Sequence, residues 1–173
     1  MDTRHTTVLN YKQSLTMKTT LTIIFMLAVS CVYAQDTLKI RQIDALVSAI
    51  NNSPLPVKRD TLIQNAPTGL KMTTYLSMIM DGGELLKYVN HVNMTMPEKG
   101  VSRKMAASNT FYYSHNKLIK VEEYMIEGDE KTTFDWYYSD DKPLYATVPP
   151  EKAGDRATVL LTMSKAMLKA IIK

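Results

Sequence analysis

Two stretches of the 173-residue chain follow one pattern: FYYSHNKLIKV at positions 111–121 and WYYSDDKPLYA at positions 136–146. Each begins with an aromatic residue and Tyr-Tyr-Ser, continues through two polar residues to a lysine, and returns to apolar residues. The polar centres have the length of hairpin turns, and Asn116 and Asp141 tolerate turn geometry well. The pattern therefore predicts one structural unit used twice, in which a strand ends, a turn follows and the next strand starts.

The regions around these two units predict an antiparallel meander. A third polar turn, Glu-Gly-Asp-Glu at 127–130, separates the units. Short runs rich in aromatic and β-branched residues between such turns are typical of strands. Four strands are therefore predicted, near 104–113, 118–127, 131–139 and 143–148. The last of them starts at Pro143, which suits the edge of a sheet because proline has no N–H group to donate.

A methionine-rich segment upstream predicts another hairpin, at residues 70–94. Its apolar residues alternate on both sides of Asp-Gly-Gly at 81–83, which we interpret as a three-residue loop with Gly83 in the left-handed conformation. The register that keeps the apolar residues on one face places Met78 opposite Leu86. A slip by one residue would mix core and solvent positions.

Two segments have the period of amphipathic helices. Residues 36–52 place apolar side chains three and four positions apart, and residues 155–173 repeat this spacing. A short strand is predicted at 57–63. The prediction is an α+β fold: an N-terminal helix, an antiparallel meander of five to seven strands, and a C-terminal helix packed on one sheet face. Because the alternation in the methionine-rich hairpin is one-sided, we expect only one face of the sheet to be covered.

The N-terminal part of the sequence predicts an export signal. The segment MKTTLTIIFMLAVSCVYAQ at 17–35 contains a lysine, an apolar run too short to cross a bilayer, and a small-residue cleavage site ending at Ala34. We interpret Met17 as the true start, residues 1–34 as a leader, and residues 35–173 as a single α+β domain. The expected location is periplasmic or extracellular.

Cys31 leaves one alternative for this location open. It is the only cysteine in the chain, and the sequence AVSC around it resembles a lipobox, so a lipid on Cys31 could instead anchor the protein to a membrane. Cleavage after Ala34 would remove it and leave no disulfide and no cysteine ligand. The leader holds three basic residues and one acidic residue, so its loss lowers the net charge from +4 to about +2. No dense Lys/Arg block is present, and no nucleic-acid partner is predicted.

The tyrosines of the repeated units are the candidate ligand-binding residues. Successive side chains of a strand point to opposite faces, so each Tyr-Tyr pair is divided between the two faces of the sheet. One set is expected to be core: Phe111, Tyr113, Trp136 and Tyr138. The other set, Tyr112 and Tyr137 together with Tyr145, is the candidate site for a sugar ring or an aromatic ligand, since exposed aromatic residues are common at recognition surfaces.

No catalytic residue, metal site or cofactor is predicted. His91 and His115 have no partner at a metal-ligand spacing. Glu122 and Glu123 are adjacent acids and would point to opposite faces of a strand. No phosphate-binding loop and no nucleophile elbow is found. The methionines of the upstream hairpin are interpreted as core, because thioether side chains fill irregular gaps well.

The leader and the two repeated units resemble small exported proteins of Bacteroidetes-type bacteria. The resemblance implies an envelope location and an antiparallel sheet, and it carries over no functional residue. Three hypotheses for the function are open. The first is a non-enzymatic binding module that acts through a sheet face or edge on an envelope protein or a small ligand. The second is a small envelope hydrolase that uses carboxylates, and the third is a lipid-anchored accessory subunit of an envelope complex.

Overall fold

A computed structural model describes residues 36–66, 69–98 and 101–172. The chain divides into two compact units, Met1–Gln42 and Ile43–Lys173. Of the first unit, only the part from residue 36 onward is described, and it is helical. The packing discussed below is that of the second unit.

The predicted leader lies outside the described residues. This applies to the start at Met17, the cleavage site at Ala34 and the possible lipid attachment at Cys31. The division into leader and single domain, the exported location and the lipid-anchored alternative therefore stay predictions.

Seven strands form one antiparallel sheet, and their order in the sheet is their order in the chain. They are β1 (Val57–Asn65), β2 (Lys71–Asp81), β3 (Glu84–Glu98), β4 (Val101–Ser114), β5 (Lys117–Glu127), β6 (Glu130–Ser139) and β7 (Lys142–Ala146). Helix α1 covers residues 36–51, and the sheet is followed by α2 (Pro150–Ala153) and α3 (Arg156–Ile171). This confirms the predicted α+β class, with the meander at the upper end of the expected strand number.

Three hairpins of this sheet share one geometry. Their turns have positive φ at both central residues, as type I′ turns require: Gly82 (54°) and Gly83 (91°), His115 (52°) and Asn116 (58°), Asp140 (52°) and Asp141 (60°). In each hairpin a bulge also shifts the strand pairing near the turn. The shift falls between residues 79 and 80, 112 and 113, and 137 and 138. The repeated unit is therefore structural, as predicted, and it occurs three times. Its first copy is IMDGGELLK at 79–87, which has no aromatic residue.

The predicted register of the β2–β3 hairpin was wrong by two residues. Met78 lies opposite Tyr88 rather than Leu86, and the loop is a two-residue turn followed outward by a bulge. Both registers place the same β2 residues on the same face, so the alternation could not distinguish them. The bulge adds one residue next to the turn, and as a result Leu85, not Leu86, is fully buried in the core.

Gly83 provides a direct test of the turn. A valine at φ 91° is expected to destabilise the protein by about 1–3 kcal/mol, because a β-branched residue resists this conformation. Gly83→Asn should be milder, since the equivalent turn position of the second copy is occupied by Asn116 at φ 58°. The space around Gly83 is open, so the backbone conformation alone should decide the outcome. Denaturant melts that show equal losses for both variants would contradict this turn geometry.

The main core lies between the sheet and α3. Its largest members are the four aromatic residues expected there from the alternation: Phe111, Tyr113, Trp136 and Tyr138. The hydroxyl of Tyr138 donates a hydrogen bond to the Ala157 carbonyl in α3 (3.0 Å), and Leu160 of α3 is fully buried. The predicted packing of the C-terminal helix on one sheet face is confirmed.

Part of the opposite face of the sheet is also covered, around Tyr112, Lys120 and Tyr137, which corrects the expectation of a single covered face. Ile43, Val47 and Ile50 form the buried stripe of α1. From the same helix, Asp44 accepts a hydrogen bond from the Tyr137 hydroxyl (3.0 Å), and Asn51 donates one to the Tyr112 hydroxyl (3.3 Å). Polar side chains on this face had suggested contact with water. Polar side chains of α1 instead form hydrogen bonds with them.

Candidate functional site

A row of lysine and tyrosine side chains crosses the sheet on the α1 side. Each member is the direct cross-strand partner of the next, from β3 to β7: Lys87, Tyr112, Lys120, Tyr137 and Tyr145. Lys87 Nζ lies 5.3 Å from the Tyr112 ring centroid, and Lys120 Nζ lies 4.9 Å from that of Tyr137. The ammonium groups face the negative faces of the aromatic rings, which is a favourable arrangement. The row unites all three tyrosines predicted to bind a ligand.

The three candidate tyrosines differ in exposure. Tyr112 and Tyr137 are only 2% and 6% exposed, whereas Tyr145 at the sheet edge is 52% exposed. The Tyr137 and Tyr145 ring centroids are 5.9 Å apart. A ligand could therefore reach Tyr145 directly, but it could reach Tyr112 and Tyr137 only if α1 moved. Ligand binding by these residues stays a prediction.

The hydroxyl groups of the two buried tyrosines are engaged within the protein. Tyr112 donates a hydrogen bond to Glu122 Oε2 (2.9 Å), in addition to its contact with Asn51. Burial raises the pKa of Tyr112 to about 12, and it also raises the pKa of Tyr137. Both phenols therefore stay protonated at neutral pH, and they act as hydrogen-bond donors rather than as bases.

Lys120 is the centre of a cluster of charges, which we call the lysine cluster. Its Nζ lies 3.3 Å from Asp44, 3.3 Å from Glu122 and 3.2 Å from Asp135, and the Lys120 side chain is only 8% exposed. Burial by itself lowers the pKa of Lys120, but the hydrogen bond with Tyr137 and the neighbouring carboxylates raise it overall. The amine is therefore held as a cation, which disfavours a role as a nucleophile or general base.

Sequence reasoning missed Lys120. A lysine on a strand is normally interpreted as solvent-exposed, because a fully buried lysine is rare unless it is paired. One signal was present. Lys87 and Lys120 occupy the same position in two copies of the repeated unit. Their cross-strand partners within these units, Ile79 and Tyr112, are both buried.

The carboxylates considered for catalysis are divided between the two sheet faces. Glu122 belongs to the lysine cluster, whereas Glu123 on the other face pairs with Arg156 and accepts a hydrogen bond from Trp136 Nε1 (2.7 Å). In the turn between β6 and β7, the carboxylate of Asp140 lies 3.4 Å from Lys117 Nζ. These acids are thus neutralised by neighbouring cations. Among residues 36–66, 69–98 and 101–172, no group of three His, Cys, Asp or Glu side chains is placed to hold a metal ion.

A second surface lies on the α3 side of the sheet, away from the core cluster. Met72, Met94 and Met105 are direct partners on β2, β3 and β4, and they form a row on this face. Met96 follows on β3 with the same orientation, and Met125 on β5 is 43% exposed beside the row. We call these five residues the methionine face. None of them belongs to the described cluster packed under α3.

The methionine face borders an open cleft of about 1030 Å³. Met94 and Met105 line the cleft together with polar residues of β3, β4 and the turn between β5 and β6. The methionines of the upstream hairpin were predicted to be core residues. Met72 and Met94 are instead partly exposed outside the core, whereas Met78 and Met80 of the same hairpin pack against it.

In the part of the chain that the structure describes, no helix combines the length and the apolar character needed to span a membrane. Neither a family model, nor a curated protein, nor a solved structure matches this chain.

Proposed function

We propose that this protein is an exported, non-enzymatic binding module that captures its ligand on the methionine face. The observation that carries the proposal is the apolar row Met72, Met94 and Met105, which continues along the sheet beyond the core and borders the open cleft. Contiguous apolar surface of this kind on soluble proteins often marks a site of interaction. Methionine suits such a site, because its unbranched side chain adapts to different partners.

A binding function is favoured over the hydrolase alternative by the state of the carboxylates. A pair of catalytic acids needs one group that is free to gain or lose a proton near neutral pH. Glu122 and Asp135 face each other across β5 and β6, but both lie within 3.3 Å of the Lys120 ammonium group. This arrangement supports a structural role for the acids.

Export is supported by the leader sequence, and the first residue of the mature chain separates the soluble form from the lipid-anchored alternative. A soluble mature chain is expected to begin at Gln35, whereas an anchored chain would begin at a lipidated Cys31. The intact mass of the exported protein distinguishes the two forms.

The binding surface can be tested with 1-anilinonaphthalene-8-sulfonate, a fluorescent probe of accessible apolar surface. The folded protein is expected to enhance its fluorescence, and Met94→Glu should abolish most of the enhancement. Thr73→Glu is the matched control, because Thr73 is adjacent to Met72 on β2, points to the opposite face and lies outside the lining of the cleft. Equal probe binding by the wild type and both variants, with unchanged circular dichroism, would refute the proposed surface.

A further inference from the structure

We propose that the methionine face binds a soft monovalent metal ion, Cu(I), through the thioether sulfurs of Met72, Met94 and Met105. The inference rests on the proposed function, since it names the ligand class for the same face. No cysteine or histidine takes part in the site, which consists of neutral sulfur ligands alone.

The geometry of the sheet brings the three side chains together. Met94 on β3 is the direct partner of Met72 on β2 and of Met105 on β4. Directly opposed residues of antiparallel strands have Cα atoms about 4.5–5.5 Å apart, and their side chains leave the sheet on the same side. Methionine has three rotatable bonds, so the two outer thioethers can lean towards the central one. Three sulfurs can thus surround one ion placed above Met94.

Met96 adds a fourth thioether to this region. It lies two residues after Met94 on β3, on the same face, with Arg103 as its cross-strand partner. The sequence Met94-Thr95-Met96 therefore presents two sulfurs to one side of a single strand. A fourth ligand would let the ion keep its coordination while the flexible side chains rearrange.

The chemistry of the ligands selects the ion. Thioethers are soft, uncharged ligands that favour Cu(I), whereas Mg²⁺ and Ca²⁺ favour oxygen. Zn²⁺ in proteins is held by thiolate, imidazole or carboxylate groups, and the methionine row offers none of these. A single positive charge also costs less to place on a partly buried apolar surface than a double charge. Because thioethers do not titrate in the physiological range, binding should be independent of pH between about 5 and 8.

Core packing alone does not account for the row. Met78 and Met80 pack against the core cluster, whereas the residues of the methionine face neither belong to it nor pack against it in the described structure. Met72, Met94 and Met105 are partly exposed, so an ion could reach them without movement of a helix.

The test is a competition titration with the Cu(I) bis-bicinchoninate complex under argon with ascorbate, followed by its visible absorbance. All samples carry Cys31→Ser, because a cysteine thiolate would bind Cu(I) by itself. The protein is expected to withdraw about one Cu(I) per chain, and Met94→Leu should weaken binding by about tenfold or more. Leucine preserves volume and apolar character, so the fold should be retained. Met163→Leu is the control, because Met163 lies on α3, outside the methionine face, and it should bind Cu(I) like the parent.

Two results would overturn the inference: no withdrawal of Cu(I) by the parent protein, or undiminished withdrawal by Met94→Leu, Met72→Leu and Met105→Leu. The probe experiment with 1-anilinonaphthalene-8-sulfonate separates this failure from that of the proposed function. If the probe binds and Cu(I) does not, the methionine face is a binding surface for another ligand. If Met94→Glu leaves probe binding unchanged, the proposed surface itself is wrong.

Discussion

Truncation of Tyr113 or Tyr138 to alanine is expected to lower the free energy of unfolding by about 3–5 kcal/mol. The two residues occupy equivalent positions in two copies of the repeated unit, next to the bulge, and both are fully buried under α3. Each truncation removes a large apolar area and leaves a cavity that a packed core closes only in part. Urea or guanidinium unfolding, monitored by circular dichroism, measures the loss directly.

The neighbouring tyrosines provide the comparison between the two faces. Tyr112→Ala and Tyr137→Ala should each cost about 2–4 kcal/mol, because α1 covers them and their hydroxyls are hydrogen-bonded. Tyr145→Ala should change stability by less than about 1 kcal/mol, since its side chain is half exposed. If Tyr112→Ala and Tyr137→Ala proved as mild as Tyr145→Ala, the covering of this face by α1 would be contradicted.

Replacement of Lys120 by methionine is expected to cost about 2–4 kcal/mol. Lys120 is the shared cation of Asp44, Glu122 and Asp135, and its removal takes away the cation that these three neighbouring carboxylates share. The carboxylates keep contact with water, being 35–47% exposed, so the loss falls below that for a fully buried charge. Methionine preserves most of the side-chain volume, so the effect reports mainly on the charge.

Lys117→Met at the start of β5 is the matched control for Lys120→Met. Lys117 pairs with Asp140 at 3.4 Å, but both side chains are exposed, and such pairs contribute less than about 1 kcal/mol. Unfolding curves at neutral pH compare the two variants. Equal losses at the two positions would show that the lysine cluster has no special role in stability.

The pH dependence of the Lys120 effect follows from the direction of its pKa shift. The pKa is raised in the folded state, so the stabilisation is fully present wherever the unfolded lysine is protonated, below about pH 10.4. It is lost as the pH rises through the higher folded-state value. The difference between wild type and Lys120→Met should therefore be constant between about pH 7 and pH 9. A difference that vanished within this window would contradict the raised pKa.

The sequence was sufficient for the order of elements and for the faces of the strands, but not for the register of the first hairpin. The turn positions at Asn116 and Asp141 were recognisable because their residue types are typical of turns. The bulge at Leu86 was not recognisable, since alternation has a period of two and registers that differ by two residues have the same pattern. Alignment of all three repeated units shows the two-residue difference in register. The first copy is hard to recognise in the sequence, because it has Ile and Met in place of the two tyrosines.

The covered α1 face could not be predicted because its chemistry is that of a surface. Hydrophobic patterning identifies a buried face by its apolar residues, and this face presents Lys120, Glu122 and Asp135. These groups can be buried because they pair with one another and because Lys120 pairs with Asp44, which lies 76 residues from it in the chain. The methionine face was not predicted for a different reason. Its residue type was clear, but only the register of β2, β3 and β4 shows that the three thioethers are neighbours outside the core.

The consecutive strand order also determines how this chain should fold. Each strand pairs only with strands next to it in sequence, so the sheet can grow hairpin by hairpin while closing short loops, which favours rapid folding. The docking of α1 is the exception, because it joins Asp44 to Tyr137, 93 residues apart. Contacts of α1 should therefore form after the transition state. Substitutions at Asp44 are expected to accelerate unfolding with little change in the folding rate, and substitutions at the hairpin turns should slow folding.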